Sequence, residues 1–329
     1  MKRKTRILAL VSGLMAVAVM FIGCTVDAHD PAKTGQEQGG QDQTSKKNLI
    51  EVPGAHNLAV KFGVIGTEPG AETTKADVKK TLEKIHEYLE NYPDAEGIKL
   101  GDYIELPELN VSGHPGDEGK IDGLSKAHVL VVGINSFKNP INGTDTASHL
   151  VFQFEDALVA RTMGVEDTPY SYIGSEMQTY LRKKFVPALG NAGVTSDYLW
   201  APRRAIAAQF NSESPTFIAD DTVWLPTERE IFGDRSYSVN AAETTTNQAR
   251  LEYYATAESR KKGLSATPTT FVKYWLASPA GPPATPDNVG ACAVSEDGLA
   301  TAALVFEVVI VDISFPVEPL GFAPAFCIK

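Results

Sequence analysis

Three features of this sequence predict an α+β fold. Short apolar runs bounded by Gly, Pro and Asn recur through most of the chain, helical periodicity is confined to a few stretches, and no strand–helix alternation marks a doubly wound sheet. The chain has 329 residues, 43% of them hydrophobic and 22% charged, enough to bury one large core or two modest ones. No internal repeat is present.

Taken in order, Asn57 to Gly66 reads as a strand. Ala76, Val78, Leu82, Ile85, His86 and Leu89 then recur at steps of three and four. With Thr73-Thr74 as a cap and Pro93 just beyond, they predict an amphipathic helix over Lys75 to Asn91, with His86 and the Glu/Lys pairs on a solvated face. Gly101 to Leu106, His128 to Ile134 and His149 to Phe154 predict strands. Ser175 to Phe185 predicts a helix with Ser175 as its N-cap. Tyr198 to Pro202 and Thr222 to Leu225 are further short strands. The second leads into a helix start at which Thr227 and Glu230 stand at capping-box spacing. Tyr274-Trp275-Leu276 and Ala325-Phe326-Cys327-Ile328 read as strands buried on at least one face.

The N-terminus has a different character. Lys2, Arg3, Lys4 and Arg6 precede an apolar run from Ile7 to Ile22, the pattern of a secretory signal peptide over residues 1–23. Phe21-Ile22-Gly23-Cys24 resembles a bacterial lipobox, which implies cleavage before Cys24 and lipidation of its thiol. An uncleaved anchor helix is the alternative, but about sixteen apolar residues are short for a hydrocarbon core ~30 Å thick. Residues 24–48 carry almost no large apolar side chain and read as a disordered tether. Residues 49–97 form an N-terminal helical segment, and 98–329 the main domain.

Charge and motif content remove several classes of function. The formal net charge is −11, and cleavage before Cys24 would take away four basic residues and no acidic one. So acidic a domain is a poor match for phosphate backbones, and no nucleic-acid partner is expected. The histidines His29, His56, His86, His114, His128 and His149 have no metal-ligand spacing, so no metal or cofactor is expected. No nucleophile elbow, phosphate-binding loop or dinucleotide fingerprint occurs. The carboxylate pairs Asp220-Asp221 and Glu228/Glu230 are of the kind a glycosidase uses, but such pairs are more often a turn and a helix start, and they are read so here. Asp287-Asn288 and Ser295 to Gly298 offer oxygen ligands without EF-hand spacing, and Asp297-Gly298 reads as a polar turn between two strands. Cys292 and Cys327 are open to two readings, a disulfide or two buried thiols.

The C-terminal region differs from the rest. From Leu276 to Ile328 there is no Lys or Arg. Leu304 to Phe315 is apolar on both parities, as in a buried central strand pair or an exposed apolar face. Pro316 and Pro319 belong on edges and loops, and Ala280 to Pro286 reads as a surface loop.

Several segments together carry a resemblance. Leu225-Pro226-Thr227-Glu228-Arg229-Glu230, Trp275-Leu276-Ala277-Ser278-Pro279 and the ending Gly321-Phe322-Ala323-Pro324-Ala325-Phe326 are similar to segments of the formylglycine-generating-enzyme branch of the C-type lectin fold. With Gly101-Asp102-Tyr103, Val132-Gly133-Ile134-Asn135, Gly174-Ser175-Glu176-Met177 and Asn247-Gln248-Ala249-Arg250, the likeness spans about Ile98 to Lys329. The catalytic members place two metal-binding cysteines a few residues apart, whereas Cys292 and Cys327 are far apart, so no oxidase activity is carried over and the chain is expected not to be an enzyme.

Within this branch the chain most resembles lipoproteins varied by diversity-generating retroelements, in which asparagine codons are randomised at adenines. Glu, Lys, Gln, Met and Trp cannot then arise from Asn, and between Ala277 and Phe322 these five types appear only as Glu296, Glu307 and Glu318. A buried strand would also lack Lys and Gln. The resemblance implies a variable region at about 277–322 framed by Trp224, Glu228, Trp275 and the Gly321 to Phe326 ending. It implies ligand-contacting residues Pro282, Pro283, Thr285, Asp287, Leu304, Phe306, Val308, Ile310, Asp312, Ser314 and Phe315. The expected protein is lipid-anchored in the bacterial cell envelope, on the outer surface, where it binds a protein or glycan ligand. A structural envelope lipoprotein and a catalytically lost relative of the enzymes are the alternatives.

Overall fold

In the computed structural model the first described turn is helical. Asn57 accepts the Ala59 N–H on its side-chain oxygen at 2.9 Å, and Leu58–Lys61 close one turn of helix, α1. The strand expected from Asn57 to Gly66 is therefore corrected to a capped turn that ends at Gly63, where φ is +65°. The side chain of Asn57 satisfies the first free N–H, which an extended chain would leave to water or a neighbour. The structure describes residues 57–67, 72–107, 109–112, 121–124, 126–137, 147–158, 160–164, 172–207, 215–218, 221–234, 236–238, 250–264, 267–280, 290–305, 308–310, 313–315 and 320–329, all within the unit Thr44–Lys329.

Helix α2 (Lys75–Asn91) follows its sequence signals closely. Thr74 and Asp77 form a reciprocal capping box, and Val78, Leu82, Ile85, Tyr88 and Leu89 make one buried stripe. After Asp102, which is buried and held by the Lys61 ammonium at 2.5 Å and the Lys99 N–H at 2.8 Å, the strands begin. They are β1 (Tyr103–Leu106), β2 (Leu109–Ser112), β3 (Ile121–Leu124), β4 (Ala127–Ile134) and β5 (Leu150–Phe154).

A longer helical stretch comes next. Ser175 caps α3 (Glu176–Tyr180), whose path widens into a π-turn over Leu181–Phe185 before α4 (Val186–Asn191). The predicted end at Phe185 is passed because Pro187 stands one turn on. It can neither donate to the carbonyl of Lys183 nor pack against it, and the wider turn moves that carbonyl aside.

Then come β6 (Leu199–Trp200), β7 (Arg204–Ala207), β8 (Pro215–Ile218), β9 (Val223–Trp224), α5 (Glu228–Phe232) and α6 (Ala257–Arg260). The C-terminal third is almost all strand: β10 (Gly263–Leu264), β11 (Thr267–Phe271), β12 (Tyr274–Ala280), β13 (Gly290–Val294), β14 (Ala300–Leu304), β15 (Val308–Ile310), β16 (Ile313–Phe315) and β17 (Ala325–Ile328). The chain is thus a mixed α/β protein of short, antiparallel strands and few helices.

The main sheet runs β1-β4-β5-β17-β6, with β9 also on β17. The last strand lies inside the sheet: β17 pairs Phe326 with Phe152 on one side, and Cys327 with Trp200 and Ala325 with Trp224 on the other. Val129, Val131, Phe152, Phe154, Phe326 and Ile328 join a core cluster with Leu82, Ile85, Leu181 and Phe185. The alternate residues Leu130, Val132, Val151, Ala325 and Cys327 join a second cluster with Trp224, Tyr254, Tyr274, Leu276 and Cys292. Both faces of the sheet are covered, which explains strands apolar on both parities. Because α2 packs into the first cluster, residues 75–91 and the sheet share one core.

Candidate ligand-binding site

The frame of the C-terminal region is set by buried polar groups that the chain cannot leave unpaired. Arg204 donates from Nε and Nη2 to the two carboxylate oxygens of Glu230 at 2.8 and 2.7 Å, and from Nη2 to the Leu225 carbonyl at 3.0 Å. Its guanidinium lies 4.9 Å from the centre of the Trp224 ring. Glu230 also accepts the Thr227 N–H in the capping box that opens α5. Glu228 receives the backbone N–H groups of Ser236, Tyr237 and Ser238, and its own N–H donates to the Ser278 hydroxyl at 2.9 Å. The Ala277 N–H donates to the Pro226 carbonyl at 2.8 Å. The carboxylate pair at Glu228/Glu230 is therefore spent on structure, and β12 is tied to the start of α5 at two points.

Other contacts hold the two ends of the region together. Trp275 donates its indole N–H to the Arg161 carbonyl at 2.7 Å and its backbone N–H to Gly321 at 2.9 Å. A Cβ at Gly321 would stand 2.7 Å from the Cβ of Ala157, so only glycine lets these segments approach. Asp297-Gly298 forms the expected turn between β13 and β14, with φ of Gly298 at +75°. Cys292 and Cys327 are buried and form no disulfide, which settles their two readings as thiols, and burial pushes the Cys327 thiol well above its ordinary range.

Leu304 ends β14 opposite Gly290 and is half-buried, like the four residues before it. Val305 then turns into the first core cluster. The apolar run is thus broken after Leu304, and the strand pair expected within it lies in its later part. Its later part forms the ribbon β15–β16, which among the described residues pairs only with itself. The register sets Val308 opposite Phe315, Val309 opposite Ser314 and Ile310 opposite Ile313. The positions of Val308, Ile310 and Phe315 thereby share one face of the ribbon, with Ser314 on the other. Pro282, Pro283, Thr285, Asp287, Phe306 and Asp312 lie outside the described residues, as does Cys24.

No family profile, curated protein or solved structure matches this chain. Among the described residues no helix is long and apolar enough to cross a membrane, and no group of His, Cys, Asp and Glu is arranged to hold a metal.

One gathering of titratable groups among the described residues was not legible in the sequence. His128 on β4, Glu155 and Asp156 after β5, and Lys262 before β10 line one cavity. His128 hydrogen-bonds Glu155 through Nδ1 at 2.9 Å, which raises the imidazole and lowers the carboxyl. The partners are separated by whole strands, so no local spacing marks them; paired His and Glu at strand ends are the only hint. Lys262 donates to the carbonyls of Phe154 at 2.6 Å and Glu155 at 3.1 Å, closing the end of β5 onto the chain before β10.

Burial lowers the Lys262 ammonium from its ordinary 10.5 to about 7. Between those values the unfolded chain holds a proton that the folded chain has released, so stability rises with pH across the window. Below about 7 both states are protonated and the cost of burying the charge is fully present. In denaturant unfolding from pH 7 to 10, the wild type is expected to gain up to about 1.4 kcal/mol per pH unit relative to Lys262→Met. Parallel pH curves for the two proteins would show that Lys262 keeps an ordinary affinity for its proton.

Proposed function

We propose that this chain is a lipid-anchored cell-envelope protein that displays a ligand site from its C-terminal region on a C-type-lectin-like scaffold of the formylglycine-generating-enzyme type. It binds a protein or glycan through rigid apolar contacts and performs no catalysis. The supporting observation is a division of labour along the chain. Strands β12 and β13 are buried over their whole length and pinned by Glu228, Ser278 and Trp275. β14 is half-exposed throughout, and the ribbon over 308–315 pairs with itself among the described residues. Frame and candidate positions therefore fall on different segments, so changing one need not disturb the other. Held on a prepaid frame, such positions lose little conformational freedom on binding.

On this reading Val308, Ile310 and Phe315 face the ligand site and not the core, so Val308→Ser, Ile310→Ser and Phe315→Ser are each expected to change the unfolding free energy by less than about 1 kcal/mol. Leu276→Ala, in the frame, is expected to cost about 2–5 kcal/mol. If the three ribbon variants lose as much as the frame variant, the ribbon is core and the display reading fails. The anchor is tested separately, by incorporation of a labelled fatty acid that Cys24→Ala abolishes.

A further inference from the structure

Strand β14 has one edge that β13 does not use. The Ser295 N–H donates to the Leu299 carbonyl at 2.8 Å, which makes these two a hydrogen-bonded pair at the foot of the β13–β14 hairpin. Such pairs alternate along an antiparallel ladder. The register, with Ala293 opposite Thr301 and Ala291 opposite Ala303, therefore turns the backbone groups of Thr301 and Ala303 toward β13. The N–H and C=O groups of Ala300, Ala302 and Leu304 are left for the other edge, on which no strand pairs among the described residues. We propose that this edge binds an extended peptide rich in Lys or Arg, which joins the sheet as a strand beside β14. The inference rests on the display reading above and names the partner of that site as a peptide.

The edge lacks the devices that keep strands from adding to a sheet. Ala300-Thr301-Ala302-Ala303-Leu304 has no charged residue and no Pro, and its register with β13 runs without a bulge. All five residues are half-buried, and Leu299, at the entry to the strand, is 56% exposed and offers an apolar contact. β13 behind it is buried over its whole length. An incoming strand gains main-chain hydrogen bonds from three residues of an edge that is already formed.

Charge chooses the occupant. Glu296 and Asp297 are exposed on the turn at one end of β14, and Glu307 follows in the sequence three positions after its other end. Arg260 touches this turn, but it gives its N–H groups to the Gly298 and Tyr254 carbonyls at 2.9 and 3.0 Å, lies against Phe232 and pairs with neither carboxylate. From Leu276 to Ile328 the chain has six Asp and Glu residues and no Lys or Arg. A second copy paired antiparallel on the same edge would set the acidic ends of the two strands against each other. A peptide with basic ends meets opposite charge at both.

Calorimetric titration of the whole chain with the heptapeptide Lys-Val-Thr-Val-Thr-Val-Lys tests this. The peptide is expected to bind, and its counterpart with Glu at both ends to bind about tenfold more weakly. Methylating the backbone nitrogens of its three central residues is expected to abolish binding, because main-chain pairing is lost while the side chains stay. Ala302→Pro removes an N–H on the unused edge and spares the ladder to β13, so it is expected to abolish binding with the near-ultraviolet circular dichroism unchanged. The methylated peptide on the wild type keeps the test decisive if that variant does not fold. No binding of the Lys peptide at millimolar concentration overturns the proposal, as does equal binding of the Glu peptide or undiminished binding of the methylated one. A dimer in sedimentation that Ala302→Pro dissolves overturns it in favour of a second copy. The display reading fails on a separate measurement, the stability of the ribbon variants, so the two failures are told apart.

Discussion

Glu230→Gln is expected to lower the unfolding free energy by about 3–5 kcal/mol, because it leaves the Arg204 guanidinium charged, buried and without its counter-ion. Arg204 is 1% exposed and Glu230 not at all, so water cannot take over the lost partner. The same carboxylate caps the Thr227 N–H, and the turn it caps holds β12 through the Pro226 carbonyl. Arg204→Met combined with Glu230→Met is expected to cost less than either single change, since no lone charge is then left inside. Denaturant unfolding of Glu230→Gln, the two single Met variants and the double variant decides this. A loss below about 1 kcal/mol in Glu230→Gln would mean that the pair is solvated in solution and does not frame the region.

Ending the chain after Pro324 is expected to abolish cooperative folding. The five residues removed include β17, which supplies the partner of β5 on one side and of β6 and β9 on the other. Without it, edges are opened within the sheet and both core clusters lose side chains, Phe326 and Ile328 from one and Ala325 and Cys327 from the other. A milder version separates packing from hydrogen bonding. Phe326→Ala keeps the ladder but removes the ring that stacks at 5.6 Å on Phe152, and is expected to cost about 3–5 kcal/mol. Near-ultraviolet circular dichroism and denaturant unfolding report both. A truncated chain with a native-like spectrum and an unfolding transition would show that β17 is dispensable.

Where local chemistry suffices, the sequence could be read directly. The capping boxes at Thr74/Asp77 and Thr227/Glu230 and the turn at Asp297-Gly298 each need only residues three or four positions apart. The misreadings share a cause. Asn57 to Gly66 is apolar enough for a strand, but one side-chain hydrogen bond from Asn57 tips it into a helical turn. Leu304 to Phe315 looks continuous, yet Val305 is drawn into the core and divides the run.

The amino-acid order by itself therefore determined an α+β class, the long amphipathic helix, most of the short strands and the acidic character of the chain. Periodicity, caps and net charge are properties of neighbours along the chain. Only the tertiary structure decided that the last strand lies within the sheet and that Cys292 and Cys327 stay as separate buried thiols. It alone also brought His128, Glu155, Asp156 and Lys262 to one cavity. Those outcomes depend on which strands pair and what each face buries, and such long-range choices leave no mark in the spacing of residues along the chain.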